Sequence, residues 1–422
     1  MAQNLNVAYF TATHENPPMP IKQAEKQFWG SLFVVAGTTI GAGMLALPMS
    51  VASLGLLGGS LLLVALWAVM YFAALVALDL NIHIGFGISI AKLADQYLGK
   101  SAGLVGAAAL ILMLNALLVA YTSGAASLIH TITETYAGIS LSQPVIVAIF
   151  TIAMAALVCI DMKILDIGNR IFFAVMMFVF LGMMAVLSPK VQITQPMLGI
   201  QESGLSPWLI AVPLFFTSFG FHGSIPSLIN YCENQPQVIK RAFFWGSFIP
   251  LIVYLVWIAG GLSIVYTFDH AVFTQLVNNQ ADLGTFILSL NQAIDTSWLQ
   301  SFSWVFSLLA IITSFLGVAI GLFDYYREQI TKVNPSQKRF VAGILALGIP
   351  LLVTLIAEKT FVHVLGVAGV FLSILAVGLP CVIWLKLRHR SDFATQLNPS
   401  LVVTLLAIGI AVICCEVYNA CF

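Results

Sequence analysis

Two short stretches carry groups that can do chemistry in an otherwise apolar chain. The first, VVAGTTIGAGMLALPMS, is punctuated by Gly37, Gly41 and Gly43 and closes on Pro48. The second, FTSFGFHGSIP, sets Gly220, His222, Gly223 and Pro226 in the middle of an apolar run. Glycine and proline weaken a helix and leave peptide N–H and C=O groups unbonded. In hydrocarbon each such group is costly unless something satisfies it. A bound solute can. The N-terminus of a half-helix offers N–H groups to a carboxylate, and its C-terminus offers carbonyls to an ammonium or a cation. The chemistry this suits is reversible capture of a zwitterion such as an amino acid. Taken singly, either set of glycines could instead serve close helix packing.

The side chains around these stretches are few. His222 lies within the second interruption, and imidazole ionises near physiological pH. It could touch a substrate hydroxyl, carry a proton, or tie a broken helix end to a neighbour. Phe219 and Phe221 flank it and could sandwich an aromatic ring, or pack in the core, with Phe215 a weaker candidate one turn earlier. Asn115 sits midway along LILMLNALLVAYTSG, two turns before Tyr121 and Thr122, and needs a partner on another helix or on a ligand. Asp324 and Arg327, with Glu328 beside them, read as a gate or as a solvated helix end. Asp79 and His83 close another apolar run. Glu416 lies in the last one and is assigned no role.

These groups must be positioned by membrane helices. The chain has 422 residues, 60% hydrophobic and 8% charged, against about 25% charged in soluble domains. It is an all-α polytopic membrane protein whose surroundings are the lipid bilayer. With 17 basic and 17 acidic residues there is no basic footprint for nucleic acid. The cysteines, Cys159, Cys232, Cys381, Cys414, Cys415 and Cys421, make no metal or redox spacing. No cofactor or metal site is expected. The first 27 residues are polar and show no signal-peptide pattern.

A span needs roughly 20 apolar residues. By that measure eleven segments qualify: 28–50, 56–80, 102–128, 145–160, 169–187, 208–230, 242–266, 298–326, 340–356, 362–387 and 401–418. With the N-terminus cytoplasmic, fifteen basic residues fall inside: Lys22, Lys26, Lys92, Lys100, Lys163, Arg170, Lys240, Arg241, Arg327, Lys332, Lys338, Arg339, Lys386, Arg388 and Arg390. Only Lys190 and Lys359 fall outside. That split follows the positive-inside rule and puts the C-terminus in the periplasm. The first and sixth spans are the interrupted ones. Five spans separate them, so the second unit enters the membrane from the opposite side. Paired interrupted segments in an inverted repeat point to a midplane site of a secondary transporter. The expected organisation is a cytoplasmic tail (1–27), a first five-helix repeat (28–187), a second (206–387) and an additional eleventh helix (399–420). SIAKLADQYLGK has amphipathic spacing at Ile90, Leu93, Ala94 and Tyr97 and should lie along the membrane surface. The outer loop 267–297 carries Asp269, Asp282 and Asp295 and should cap an outer vestibule.

The motifs GTTIGAGMLALP, FTSFGFHGSIPSL and TSFLGVAIGLFDY resemble those of the bacterial aromatic amino acid permeases, the hydroxy and aromatic amino acid permease family of the APC superfamily. The similarity covers nearly the whole chain. It is strongest to the tyrosine-specific members, with the tryptophan permeases next. The resemblance implies a LeuT-type 5+5 fold with discontinuous helices 1 and 6, and proton-driven uptake of an aromatic amino acid across the bacterial inner membrane by alternating access. Spans one, two, six and seven would rock against three, four, eight and nine. It also implies that Thr38, Thr39, Ile40, Gly41, Ala42 and Gly43 bind the substrate's carboxylate and amino groups, and that Ser218, Phe219, Gly220, Phe221, His222 and Gly223 flank its side chain. A sodium-binding relative would use carbonyls near Gly37 and Ile40 with the hydroxyls of Thr313 and Ser314. Some proton-coupled members carry a lysine inside the fifth helix. NRIFFAVMMFVFLGMMAVL has none, so lysine-based coupling is not expected and sodium stays open beside the proton.

The leading expectation is a symporter for tyrosine, with phenylalanine as a further substrate. A tryptophan-preferring or sodium-coupled carrier of the same fold is the alternative, and a serine/threonine carrier is disfavoured by the phenylalanines at the break. No HExxH or paired-aspartate motif supports an enzyme. No repeated filter or charge ring supports a channel. The sequence leaves the oligomeric state open.

Overall fold

The computed structural model describes residues 20–421 apart from residues 85, 159–161, 202–203, 234, 295–296, 331–333, 357–360, 391–392 and 394. The first 19 residues, Cys159, Asp295, Lys332 and Lys359 lie outside the described residues.

The chain begins with α1 (Ile21–Thr39), α2 (Gly43–Ile84), α3 (Ile90–Leu98), α4 (Lys100–Ala137), α5 (Gln143–Val158), α6 (Met162–Leu187) and the short α7 (Gln195–Leu198). It continues with α8 (Ser206–Thr217), α9 (Ile225–Tyr231), α10 (Pro236–Phe268), α11 (His270–Val277), α12 (Leu283–Gln292) and α13 (Ser297–Gln329). Last come α14 (Pro335–Ile356), α15 (Phe361–Ser373), α16 (Leu379–Leu387) and α17 (Pro399–Cys421). Among the described residues nine helical stretches are long and apolar enough to cross a membrane, and α5 is a shorter apolar helix. The protein is a multi-pass helical membrane protein. Phe178, Ile152 and Ile356 turn outward where lipid is the solvent, while Trp257, Trp384, Tyr254 and Phe306 are fully buried.

Two features of α1 and α2 differ from the expected boundaries. The first helix starts at Ile21, directly after Pro20, so residues 21–27 belong to it and not to the tail. Proline suits this place because the first N–H groups of a helix have no intrahelical partner. The first and second spans are joined without a loop: α2 runs through both and changes direction at Gly55, with φ 71° and ψ 158°. Only glycine adopts that conformation freely, and the carbonyl of Gly199 lies where a Cβ would be.

α10 packs along α1 and α2, α15 along α4 and α8, and α13 along α4 and α6. α3 forms where the amphipathic spacing places it, with Leu93 and Ala94 buried against the start of α4. The long loop after α10 folds into α11 and α12. Its aspartates act as N-caps: Asp269 accepts from the Val272 N–H at 3.2 Å and Asp282 from the Thr285 N–H at 2.8 Å. At the far end of α2, the Asp79 carboxylate accepts from Trp384 Nε1 at 2.8 Å and Thr395 Oγ1 at 2.6 Å, and His83 lies beside it. That joins the end of α2 to α16 and to the approach of α17.

Candidate functional site

Both interruptions occur where the glycines and prolines place them. α1 ends at Thr39. Ile40 is extended, with φ −73° and ψ 110°, and helix resumes at Gly43. α8 ends at Thr217, a 3-10 turn covers His222–Ser224, and α9 starts at Ile225 with Pro226 in its first turn. The interruptions touch: a Cβ on Gly43 would lie 3.5 Å from Ser218 Oγ.

Tyr254 of α10 ties them together. Its buried hydroxyl donates toward the carbonyl of Thr39, the last residue of α1, at 2.6 Å and toward the carbonyl of Ser218, the residue just past α8, at 3.0 Å. One turn on, Trp257 Nε1 donates to the Met44 carbonyl at 2.9 Å. Across the first break, Ser314 Oγ of α13 accepts the Ala42 N–H at 2.8 Å. A Cβ on Gly41 would collide with that hydroxyl, so glycine is required for close approach. Tyr121 of α4 is also buried. Among the described residues, the N–H groups of Gly41, His222 and Gly223 donate to no backbone carbonyl. The breaks therefore keep unspent donors beside carbonyls held in place by aromatic side chains.

The second break turns its backbone outward and its rings inward. Gly220 and Gly223 are exposed, whereas Phe219 and Phe221 are fully buried. Phe219 packs on Tyr254, with ring centroids 5.5 Å apart, and Phe221 packs edge-on against Phe243 at 5.5 Å. Phe215 is likewise fully buried. The two rings anchor the break to different neighbours. His222 lies against Phe221, with centroids 4.9 Å apart. Both ring nitrogens are buried without a hydrogen-bond partner among the described residues.

The remaining candidates are less closely drawn in. Thr38 is exposed, and its hydroxyl donates back to Val34 at 2.8 Å; Thr39 does the same to Val35 at 2.7 Å. Gly37 is half-buried beside Phe173 of α6. Ser314 reaches the first break, but Thr313 donates to Leu309 at 2.8 Å on its own helix. Asn115 donates to Ile111 at 2.8 Å and leaves its Oδ1 buried without a partner. Asp324 and Arg327 form an ion pair at 3.3 Å one turn apart on α13. That pair spans no gap between helices, and pairs of this kind contribute little.

Tyr254 and Trp257 are site residues the sequence did not single out. A signal was present: both are aromatic residues with a polar tip, three positions apart in a buried span, while two breaks elsewhere left carbonyls needing donors. A cavity of about 580 Å³ is lined by Met49, Ser123, Ile210, Asp282 and Phe361 among others, and none of residues 40–43 or 218–224 is in its lining. Met49 belongs to the half-helix after the first break and Ile210 to the half-helix before the second. α12, from the loop expected to cap a vestibule, supplies part of its wall.

Two interrupted helices held edge to edge inside a helical membrane protein define a solute carrier rather than a catalyst. The chain belongs to the tryptophan/tyrosine permease family, whose model matches residues 24–416. It is a permease and not an enzyme. It is 32% identical to the "Tyrosine-specific transport system 1" of Haemophilus influenzae, over 89% of this chain and 93% of that one. It is 27% identical to the "Tryptophan-specific transport protein" of Pseudomonas aeruginosa, over 89% and 91%. It is 30% identical to the "Glutamine transporter 2" of Aliivibrio fischeri, over 88% and 92%.

Proposed function

We propose that the protein imports an aromatic amino acid, tyrosine before phenylalanine, by proton symport with alternating access across the bacterial inner membrane. The observation that carries this reading is the Tyr254 hydroxyl, which reaches a carbonyl on each broken helix at 2.6 and 3.0 Å. That contact gathers free peptide groups from two helices into one small site, as capture of a zwitterion requires. The Gly41 N–H, unbonded among the described residues, is the donor this reading assigns to the carboxylate. The relatives named for tyrosine and tryptophan support an aromatic side chain.

In this reading the nine long apolar stretches become eleven crossings. Gly43–Ile84 divides at Gly55, its first part completes the crossing begun by Ile21–Thr39, and Gln143–Val158 supplies one more. The crossings then form a LeuT-type 5+5 inverted repeat plus an eleventh helix, with the N-terminus cytoplasmic and the C-terminus periplasmic. α3 after the second crossing matches α11 and α12 after the seventh, one set on each face. His222, without a well-made hydrogen bond, is the candidate proton carrier at the break. Sodium is the alternative ion, using Ser314 and the carbonyls near Gly37 and Ile40. Tryptophan is the alternative aromatic substrate. A second reading, an uncharged polar amino acid, is favoured by the relative named for glutamine and by the burial of Phe219 and Phe221.

The test is uptake of labelled tyrosine into proteoliposomes under a proton or a sodium gradient imposed separately, for wild type and His222→Ala. Proton-driven uptake that the variant loses while keeping counterflow exchange supports the reading. Sodium-driven uptake overturns the proton. Absence of tyrosine movement, with tryptophan or glutamine carried instead, overturns the substrate.

A further inference from the structure

Pro213 interrupts the hydrogen-bond ladder of α8 and has no N–H to give the carbonyl of Leu209, four residues earlier. That carbonyl is bonded nonetheless: Asn419 Nδ2 of α17 donates to it at 2.9 Å. The same nitrogen faces Glu416 Oε2 at 3.5 Å. An amide NH2 has two protons, so one serves the carbonyl and the other turns to the carboxylate. Glu416 is the one charged side chain among the described buried polar residues, 5% exposed. Gly366 of α15 makes room for it, because a Cβ there would come within 2.7 Å of Oε2. An acid buried in a span is costly to keep. Here it stands beside the amide that repairs a proline break.

α8 leads directly into the second interruption, so whatever fixes the α8 axis fixes Ser218 and Gly220. The proline turn of α8 is gripped from the other side as well. Thr217 Oγ1 donates toward the Pro213 carbonyl at 2.8 Å and the Leu365 carbonyl at 3.2 Å, and Gly369 lets α15 close onto Pro213. We propose that Asn419 and Glu416 are positioning residues of the transport cycle, a clamp on the proline turn of α8 that is set by the protonation of Glu416. The proposal rests on the transport reading above. The ionised carboxylate accepts from Asn419 and keeps its NH2 directed at Leu209. The protonated acid is itself a donor and pairs with Asn419 Oδ1, which turns the amide and leaves the Leu209 carbonyl without its bond. α8 is then free to tilt.

Few other groups can titrate here. α8 has none. α15 supplies His363, three residues before Gly366 and so one turn along the same face. α17 itself adds Cys415 and Tyr418. Asp79, His83 and Lys386 of α2 and α16 cluster near Thr395, at the other end of α17. Cys381 lies on α16 beyond the Ser373–Gly409 contact that leads away from Glu416. Tyr71 of α2 packs on Trp67 and Phe244.

The deciding experiment is hydrogen–deuterium exchange of the full-length protein in nanodiscs, read over residues 205–220 and corrected for intrinsic rate. The range runs from about pH 4 to about pH 9, which spans carboxyl and imidazole titration. In wild type, exchange rises about fivefold on acidification, the worth of one hydrogen bond. Glu416→Gln is expected to be flat across the range, Asn419→Ala fast at every pH, and His363→Gln like wild type. Tyrosine uptake by Glu416→Gln should show altered turnover and an unchanged KM. Wild-type pH dependence in Glu416→Gln, or wild-type exchange in Asn419→Ala, overturns the clamp; so does loss of the pH response in His363→Gln. If Glu416→Gln does not fold, Asn419→Ala and His363→Gln decide alone. The exchange measurement needs no substrate, so a wild type that moves no tyrosine defeats the transport reading and leaves the clamp separately judged.

Discussion

Tyr254→Phe removes one oxygen and nothing else from the centre of the site. The ring volume is nearly kept, so its 5.5 Å contact with Phe219 should survive. What is lost is a donor shared by the Thr39 and Ser218 carbonyls. A buried polar group deprived of its partner costs about 1–3 kcal/mol. One O–H serves both carbonyls, so the loss should fall within that range rather than double it. If the cost appears mainly when the site must assemble, transport slows by roughly 5- to 150-fold, since about 1.4 kcal/mol is a factor of ten. If it appears in the resting protein, thermal unfolding in detergent falls instead. The assay is therefore paired: initial uptake rates in proteoliposomes and unfolding temperature, for Tyr254→Phe and for Tyr121→Phe as a buried phenol that bridges no break carbonyls. A Tyr254→Phe protein that transports at the wild-type rate and unfolds at the wild-type temperature would refute the bridging argument.

Other substitutions test neighbouring contacts. Gly41→Ala should abolish most uptake because the new methyl meets the Ser314 hydroxyl, and adding Ser314→Ala should recover part of it; no recovery would show that backbone conformation, not the collision, is limiting. Gly55→Ala faces both a positive φ and the Gly199 carbonyl, so folded yield should drop sharply, by the several kcal/mol that such strain and overlap carry together; normal yield and unfolding temperature would contradict the local geometry. Cys232, just past the end of α9, is held by Ser31 at 3.1 Å. Burial raises its thiol above the ordinary value, a shift the Ser31 contact only partly opposes. Its maleimide labelling should therefore be slow near neutral pH and keep climbing in alkali beyond the range of a free thiol, and a plateau at the free-thiol pH would refute this.

The two interruptions were legible because glycine and proline report on the backbone directly. Gly41, Gly43, Gly220 and Pro226 marked both interruptions to within a few residues, since the same groups that weaken a helix define where it stops. What the breaks are held by was not legible. Tyr254 and Trp257 look like any aromatic pair in an apolar span until the carbonyls of Thr39, Ser218 and Met44 are seen to need donors. Phe219 and Phe221 show the reverse case. Their position beside His222 suggested contact with a ligand ring, but side-chain direction at an irregular turn has no fixed period to read, and both rings point into the core. Asn419 escaped notice because its partner is a carbonyl freed by Pro213, over two hundred positions away in sequence.

The turn at Gly55 has a mechanical consequence. Because no loop separates the half-helix after the first break from the crossing that follows, the two are arms of one jointed rod with no slack between them. Displacement of Gly43 as a solute enters or leaves must either be absorbed by rotation about that single residue or be delivered along the second arm. That arm ends where Asp79 is fastened to Trp384 and Thr395. The permease thus carries, within one unbroken stretch of chain, a lever whose short end lies at the first break, the proposed site, and whose long end is moored through Asp79. Lengthening the joint by a few flexible residues should let the site move without the moorings feeling it.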